Sequence, residues 1–111
     1  MDEVRRVGDD ELCGFVHARS EQWIALTVFG GVLGAHADRS AAIDQVLSDG
    51  LASLAERWTL RNVDGDEQIV CIQEAKPSQV TVALDYYSLP GVPTMTITAE
   101  QLASGEWELV R

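Results

Sequence analysis

The sequence predicts an α+β fold with a mainly antiparallel sheet of about six strands and one long amphipathic helix packed on one face. Short runs of alternating hydrophobicity occupy both halves of the chain, and a stretch with a period of 3.6 residues separates them. Glycine-containing turns at Gly30-Gly31 and Asp64-Gly65 lie between consecutive runs. At 111 residues the chain has the length of one domain, so we expect a single domain over 1–111.

The first half of the chain predicts a three-stranded meander. After a polar start over residues 1–10, which we expect to be flexible, the strand-like runs are "LCGFVHAR", "QWIALTVF" and "VLGAH". Gly30 and Gly31 suit the turn before the third strand because glycine adopts positive φ without steric cost. They precede a strand rather than a helix, and Ala35 rather than a lysine follows Gly34, so a phosphate-binding loop is not expected.

A long amphipathic helix is predicted after the meander. Asp38 or Ser40 is placed to cap its first amides, and the apolar stripe ends near Trp58, for a length of roughly 30 Å. Gly50 lies inside this stretch at a cost of about 1 kcal/mol relative to alanine, so we expect another element to approach closely there. The stripe consists of Ile43, Val46, Leu47, Leu51, Leu54, Ala55 and Trp58.

The second half returns to strands. The runs "WTLRNV" and "EQIVCIQE" are joined through residues 64–66, "QVTVALDYY" follows, and "LPGVP" is a loop because proline removes ladder donors. Whether "TMTI" forms a further strand stays open, and the order below does not count it. Thr98 and Gln101 have the spacing of a capping box that opens a short helical turn ending at Gly105, before a last strand "EWELV". The predicted order is β-β-β-α-β-β-β-α-β.

Composition limits the classes of partner. Eighteen acidic residues against eight basic ones give a net charge of −10, and the basic residues are scattered, so we do not expect nucleic-acid binding. No apolar run approaches the roughly 18 residues of a membrane span, and the N-terminus lacks a signal peptide. Cys13 and Cys71 lie in apolar strands as small buried residues. These features predict a cytoplasmic protein.

The two histidines do not predict a shared metal site. If residue 19 pairs with 22 and residue 29 with 32, His17 lies opposite Ile24 and His36 lies opposite Ala25. Neighbouring residues of a strand point to opposite faces, so the two imidazoles are separated by the sheet. No nucleophile or second acid accompanies either of them. We therefore expect no catalytic residue, no metal and no cofactor.

One face of the meander is more apolar than a solvent-facing sheet should be. The same pairing places Val16, Trp23, Phe29 and Val32 there. The opposite face is the one predicted to pack under the helix, and it carries Cys13, Phe15, Ile24, Leu26, Val28, Leu33 and Ala35. Two explanations of the apolar face stay open: the C-terminal segment or the curvature of the sheet covers it, or it is a contact surface with aromatic anchors.

The order of hairpin, third strand and helix, with "W-I-A-L", "L-G" and "A-A", resembles AP2-type DNA-binding domains over about 25 residues. That resemblance implies the shape of the unit rather than DNA binding, since only Arg19 stands where that family has several basic residues. HicB-type antitoxins are similar in their outline of sheet and helix, which implies neutralisation of a basic toxin. No family resembles the full chain.

The sequence favours a small acidic protein-interaction or regulatory protein, of antitoxin or immunity type, over an enzyme. It would bind a protein partner or a second copy as a homodimer, using the face that carries Trp23 and Phe29. The alternative is a small-ligand-binding domain or small enzyme with a pocket near the loop over residues 86–93. The polar groups proposed for that pocket are His36, Asp85, Tyr86 and Tyr87.

Overall fold

The computed structural model describes residues 1–84 and 91–111, which form two compact units over Met1–Ser53 and Leu54–Arg111. The first unit contains β1 (Asp2–Arg5), β2 (Leu12–Arg19), β3 (Gln22–Leu26), β4 (Val32–His36) and α1 (Arg39–Asp49). Its four strands form an antiparallel sheet in the order β1-β2-β3-β4.

The second unit contains β5 (Arg57–Asn62), β6 (Glu67–Ala75), β7 (Gln79–Ala83), β8 (Thr94–Thr98), α2 (Ala99–Ser104) and β9 (Trp107–Val110). Its strands form a five-stranded antiparallel sheet in the order β8-β7-β6-β5-β9, so the last strand returns to pair with the first. The α+β class is therefore confirmed. The expectation of one sheet of about six strands is wrong, because the strands on either side of α1 pair only among themselves.

The polar start of the chain holds a strand that its sequence does not predict. β1 pairs with β2 from Asp2 opposite Val16 to Arg5 opposite Leu12. The turn between them is held by Arg6, whose guanidinium donates hydrogen bonds to both carboxylate oxygens of Asp9 at 2.6 and 3.1 Å. The segment expected to be flexible thus contains an edge strand and a hydrogen-bonded turn.

Two register shifts decide which face of the first sheet is buried. Cys13 is the extra residue where β1 pairs with β2, and Leu33 is the extra residue where β3 pairs with β4. An extra residue reverses the alternation of the strand beyond it. Both side chains therefore join the cluster under α1, together with Val4, Val16, Ala25, Ala42 and Val46. For the strand residues that lie between Cys13 and Leu33, the face predicted to pack under the helix is therefore wrong, and α1 covers the opposite face.

The helix is shorter than predicted. α1 covers 11 residues and ends at Asp49, a 3-10 helix follows over Ala52–Ala55, and Trp58 lies in β5 rather than on a helix. Asp38 is the N-cap, and its carboxylate accepts a hydrogen bond from the amide of Ala41 at 2.9 Å. No helix among the described residues is long and apolar enough to cross a membrane.

The predicted turn and cap signals are confirmed where they are local. The chain reverses between β3 and β4 with Gly30 at a φ of +90°, but the predicted pairing of residue 29 with 32 is wrong, because Val32 pairs with Leu26 and residues 27–31 form the connection. Gly65, at a φ of +86°, lies in the turn between β5 and β6. Thr98 and Gln101 form the capping box of α2, and Gly105 ends it in the left-handed conformation.

Gly50 provides a test of the close approach predicted from the sequence. A Cβ atom there would overlap the carbonyl oxygens of Cys13 and Val46, although the φ of −53° is ordinary for any residue. Helix propensity alone predicts that Gly50→Ala stabilises the fold by about 1 kcal/mol. We expect the reverse, a loss of about 2 kcal/mol in the free energy of unfolding, measured by urea denaturation. Ser48→Ala, at an exposed helix position, is the control. A Gly50→Ala protein at least as stable as wild type would contradict the close approach.

The turn between β1 and β2 predicts an unusual titration. Hydrogen bonds from the Arg6 guanidinium, and then from the amide of Glu11, lower the pKa of Asp9 to about 2. A lowered pKa means that the ionised carboxylate stabilises the turn above pH 4, and that this contribution is lost as the pH falls from about 4 to about 2. We expect Arg6→Gln to return the pKa of Asp9 towards 3.8, measured by carboxyl NMR titration. Arg19→Gln is the control because it makes the same change in charge at an exposed residue at the other end of β2, and an unchanged Asp9 titration in Arg6→Gln would contradict the pairing.

Candidate binding cleft

An open cleft of about 200 Å³ lies in the second unit, at the end of the sheet where β5 turns into β6. Four strands and the turn contribute to it, and so does the residue that follows β7. Its lining residues are Leu60, Asn62, Asp66, Glu67, Gln68, Leu84, Met95 and Trp107.

The register of the sheet explains why these residues meet. Leu60 faces Gln68 on one side and Leu109 on the other, while Asn62 faces Trp107. Because side chains alternate along a strand, these residues share the face that is buried further along the sheet. The buried residues of that face include Trp58, Val70, Val80, Val82, Ile97 and Leu109. The cleft is therefore an opening at one end of the apolar interior.

The floor of the cleft is apolar. Leu60 is buried, with 3% of its surface exposed, while Leu84, Met95 and Trp107 are half-buried. Gln68 donates a hydrogen bond from Nε2 to the carbonyl oxygen of Leu84 at 2.8 Å, which ties β6 to the residue that follows β7. An indole, a thioether and two leucines can hold the aliphatic or planar part of a ligand.

The rim of the cleft is acidic and ordered. The Asn62 side-chain oxygen accepts hydrogen bonds from the amides of Asp64 and Asp66, both at 3.0 Å, and these bonds fix the turn. Asp66 accepts a weak hydrogen bond from Asn62 Nδ2 at 3.4 Å, and within the described ranges it pairs with no cation. Glu67 forms an ion pair with Arg61 at 3.1 Å.

Arg61 is shared between two carboxylates. It contacts Glu67 at 3.1 Å and Glu108 at 3.3 Å. The hydrogen bond that the guanidinium donates to Glu67, followed by the charges of Glu67 and Glu108, raises the pKa of Arg61 further above its ordinary value. One permanent positive charge thus faces two neighbouring negative charges, so this cluster keeps an excess of negative charge. Arg61 and Glu108 alternate with Leu60 and Trp107 along their strands, so they lie on the other face of the sheet, beside the cleft rather than in it.

The residues proposed from the sequence as partner contacts lie in the first unit. Val16 is fully buried, Phe29 has 3% of its surface exposed, and Trp23 is half-buried, whereas Val32 is 53% exposed. Val16 and Trp23 pack in or against the cluster under α1. The sequence left cover by the C-terminal segment or by sheet curvature as one of two explanations. For Val16 and Trp23 the cover comes from α1, and Val32 is the exposed member of the set.

Small residues allow α1 to cover this face. A Cβ on Gly14 would touch a methyl group of Val46 at 3.0 Å and would overlap the carbonyl of Leu26. Ala25, opposite Val16, is also fully buried. The small side chains of this face leave room for the protein's own helix.

The histidines lie on opposite faces of the first sheet. His17 faces Ile24 as predicted, but His36 faces Trp23 rather than Ala25, because Val32 pairs with Leu26 and not with Phe29. His36 Nε2 lies 2.6 Å from Gln45 Oε1, and Gln45 Nε2 in turn donates to the carbonyl of Leu33 at 3.1 Å. This histidine links β4 to α1.

Only one of the four residues proposed for a ligand pocket lies within the described part of the chain. Asp85, Tyr86 and Tyr87 lie outside the described residues, and His36 belongs to the first unit. The flanks of that segment, Leu84 and Met95, do line the cleft. No group of three potential metal ligands occurs within residues 1–84 and 91–111.

Sequence reasoning missed Trp107 as a candidate. It stands between Glu106 and Glu108 in "EWE", and an aromatic residue flanked by two carboxylates is the local signal that was available. Its partner across the sheet, Asn62, is 45 residues away in the chain and is matched to it only by the pairing of β9 with β5.

The position of Trp23 leads to a prediction about stability. Its indole packs against the cluster under α1, and the guanidinium carbon of Arg39 lies 5.8 Å from the ring centroid. We expect Trp23→Ala to lower the free energy of unfolding by about 2 kcal/mol, since half-buried apolar surface is lost. Arg39→Gln should cost less, about 0.5 to 1 kcal/mol. Urea denaturation measures both. A Trp23→Ala protein that keeps its stability but loses self-association would instead show a contact surface.

Comparison with known proteins adds no functional assignment. No family model matches the chain, and neither a curated protein nor a solved structure matches it significantly. The resemblances to AP2-type domains and to HicB-type antitoxins therefore gain no support from a family match, and the function must be inferred from the chemistry of the cleft.

Proposed function

We propose that this protein acts by binding another protein, and that the Trp107 cleft receives a cationic side chain of that partner. The observation that carries the proposal is the combination of an apolar floor with a rim that has more carboxylates than cations. A lysine or arginine side chain matches both parts, because its aliphatic stem is apolar and its end group is positively charged.

Negative charge is more concentrated near the cleft than in the rest of the second unit. Each unit carries nine acidic and four basic residues, so each has a net charge of 4 − 9 = −5. Residues 61–67 and 106–108, at the β5–β6 turn and the start of β9, nevertheless contain five carboxylates and one guanidinium, that of Arg61, which gives a sum of 1 − 5 = −4. Those carboxylates belong to Asp64, Asp66, Glu67, Glu106 and Glu108. Such a concentration attracts a cationic partner and speeds its association.

The size of the cleft supports an anchor rather than a whole cofactor. About 200 Å³ is below the roughly 300 to 1,000 Å³ of pockets that hold drug-sized ligands. The face of the Trp107 indole provides a site for a cation, and arginine is the more frequent partner in such contacts. Aromatic residues in small pockets commonly supply most of the binding energy of an interface.

This proposal keeps the class of function inferred from the sequence and changes its location. A small acidic regulatory protein of antitoxin or immunity type would use the cleft to hold a basic target. A cytoplasmic location belongs to the same proposal, and both cysteines, Cys13 and Cys71, are free. The second candidate function, binding of a small cationic ligand, is favoured by the position of Leu84 and Met95 on either side of the segment that carries Tyr86 and Tyr87.

A basic peptide tests the proposal. The probe is an eight-residue peptide of alternating arginine and serine, with affinity measured by isothermal titration at low salt. We expect Trp107→Ala to weaken binding at least fivefold, since a cation over an indole contributes about 1 kcal/mol. Trp107→Phe should retain part of the affinity, because the ring face is kept.

The acidic rim is tested with a charge-matched control. We expect Asp66→Asn with Glu67→Gln to weaken peptide binding at least fivefold and to flatten its salt dependence. Glu74→Gln with Glu100→Gln makes the same change in net charge away from the cleft, and Glu74 likewise has a cationic partner, Lys76. An equal loss in both double variants would show attraction by net charge alone, and it would overturn the assignment of the cleft.

A further inference from the structure

The outer edge of β8 has backbone groups without partners in its own sheet. Hydrogen bonds from Leu84 N to Pro93 O and from Ala99 N to Ser78 O, both 2.9 Å, flank the pairing of β8 with β7. In an antiparallel strand pair, residue pairs that exchange backbone hydrogen bonds alternate with residue pairs that do not. The amides and carbonyls of Met95 and Ile97 therefore point to β7, and those of Thr94 and Thr96 point away from it.

This edge lacks the charges that protect exposed edges. Residues 91–99 contain no charged side chain in a chain whose net charge is −10. The edge strand β1 carries Asp2, Glu3 and Arg5, and the edge strand β9 carries Glu108. β4 is uncharged too, but α1 covers part of it through a side-chain amide hydrogen bond from Gln45 to the backbone.

The free part of the edge is short and well defined. Thr94 and Thr96 are exposed in the chain as a whole, so among the described residues nothing covers them. The amide of Thr98 is already used, since it donates to Gln101 Oε1 at 3.0 Å in the capping box of α2. Two residues with outward amides and carbonyls remain.

We propose that β8 pairs with β8 of a second copy of this chain, which joins two five-stranded sheets into one antiparallel sheet. With the two-fold axis at Met95, Thr94 of each copy lies opposite Thr96 of the other. Each of these two pairs exchanges two backbone hydrogen bonds, so four bonds form. The contact is isologous and closes as a dimer.

The side chains of the edge fit this pairing. Thr96 Oγ1 lies 3.2 Å from Thr81 Oγ1 across the strand pair, so a row of threonines already crosses from β7 to β8. Pairing with a second copy extends the row by another threonine. Threonine–threonine pairs are among the favourable cross-strand neighbours, and β-branched residues suit strands.

The chemistry of the edge points to a second copy rather than to a cationic partner. Two copies that each carry a net charge of −10 repel one another, and contact is least unfavourable where charge is absent. The uncharged run from Gly91 to Ala99 is such a place, and its Thr-x-Thr pattern is complementary to itself. A basic partner would instead be attracted to the carboxylates around the Trp107 cleft.

Sedimentation velocity over a concentration series tests the dimer. We expect wild type to move from the monomer mass towards twice that mass as concentration rises. Thr94→Lys with Thr96→Lys places lysines opposite each other in the pairing and should remain monomeric at every concentration. Ser78→Lys with Ala103→Lys adds the same two charges at exposed positions off the edge and should dimerise as wild type does.

Amide hydrogen exchange locates the contact and controls for folding. At dimer concentrations the amides of Thr94 and Thr96 should exchange at least tenfold more slowly than in dilute protein, whereas those of Met95 and Ile97 should be protected in both. Protected Met95 and Ile97 amides in the lysine variant would show that β8 is intact. A wild type that is monomeric throughout, an equal effect of both lysine variants, or concentration-independent exchange at Thr94 and Thr96 would overturn the proposal.

Discussion

The first unit depends on the close approach of α1 to the backbone of its sheet. On the sheet, Gly14, with a φ of +155°, leaves no room for a side chain beside Val46 and the carbonyl of Leu26. On the helix side, one turn after Val46, Gly50 lies against the carbonyl of Cys13. A helix this close to a sheet buries whatever lies beneath it, and this constraint decides which face of the meander is interior.

The same constraint explains where sequence reasoning succeeded and where it failed. Caps and turns are local, so Asp38, Gly65 and the capping box at Thr98 could be predicted from a few neighbouring residues. Alternate residues of a strand point to opposite faces of the sheet, so one extra residue reverses which side chains are buried beyond it. Cys13 and Leu33 each add such a residue, and nothing in "LCGFVHAR" or "VLGAH" marks it.

The candidate cleft was less predictable than the fold because it is assembled from distant segments. Leu60 and Trp107 come from two strands that are adjacent only because β9 returns to β5. The rim is different, since Asp64, Asp66 and Glu67 are three carboxylates within four residues, at a turn that the sequence does predict. The acidic turn at the rim could thus be predicted from the sequence, but the apolar floor beside it could be recognised only once the order of the strands was known.

The two contacts proposed for the second unit, cation binding at the cleft and pairing of β8, differ in how charge affects them. Binding of a cation at the Trp107 cleft gains free energy from attraction, so screening by salt weakens it. Pairing of β8 between two copies works against the repulsion of two acidic chains, so the same screening strengthens it. Backbone hydrogen bonds and threonine contacts carry no net charge, so their contribution to the free energy of pairing changes little with ionic strength. Ionic strength is therefore expected to act with opposite sign on the two proposed contacts, which distinguishes them physically although Met95 belongs to both.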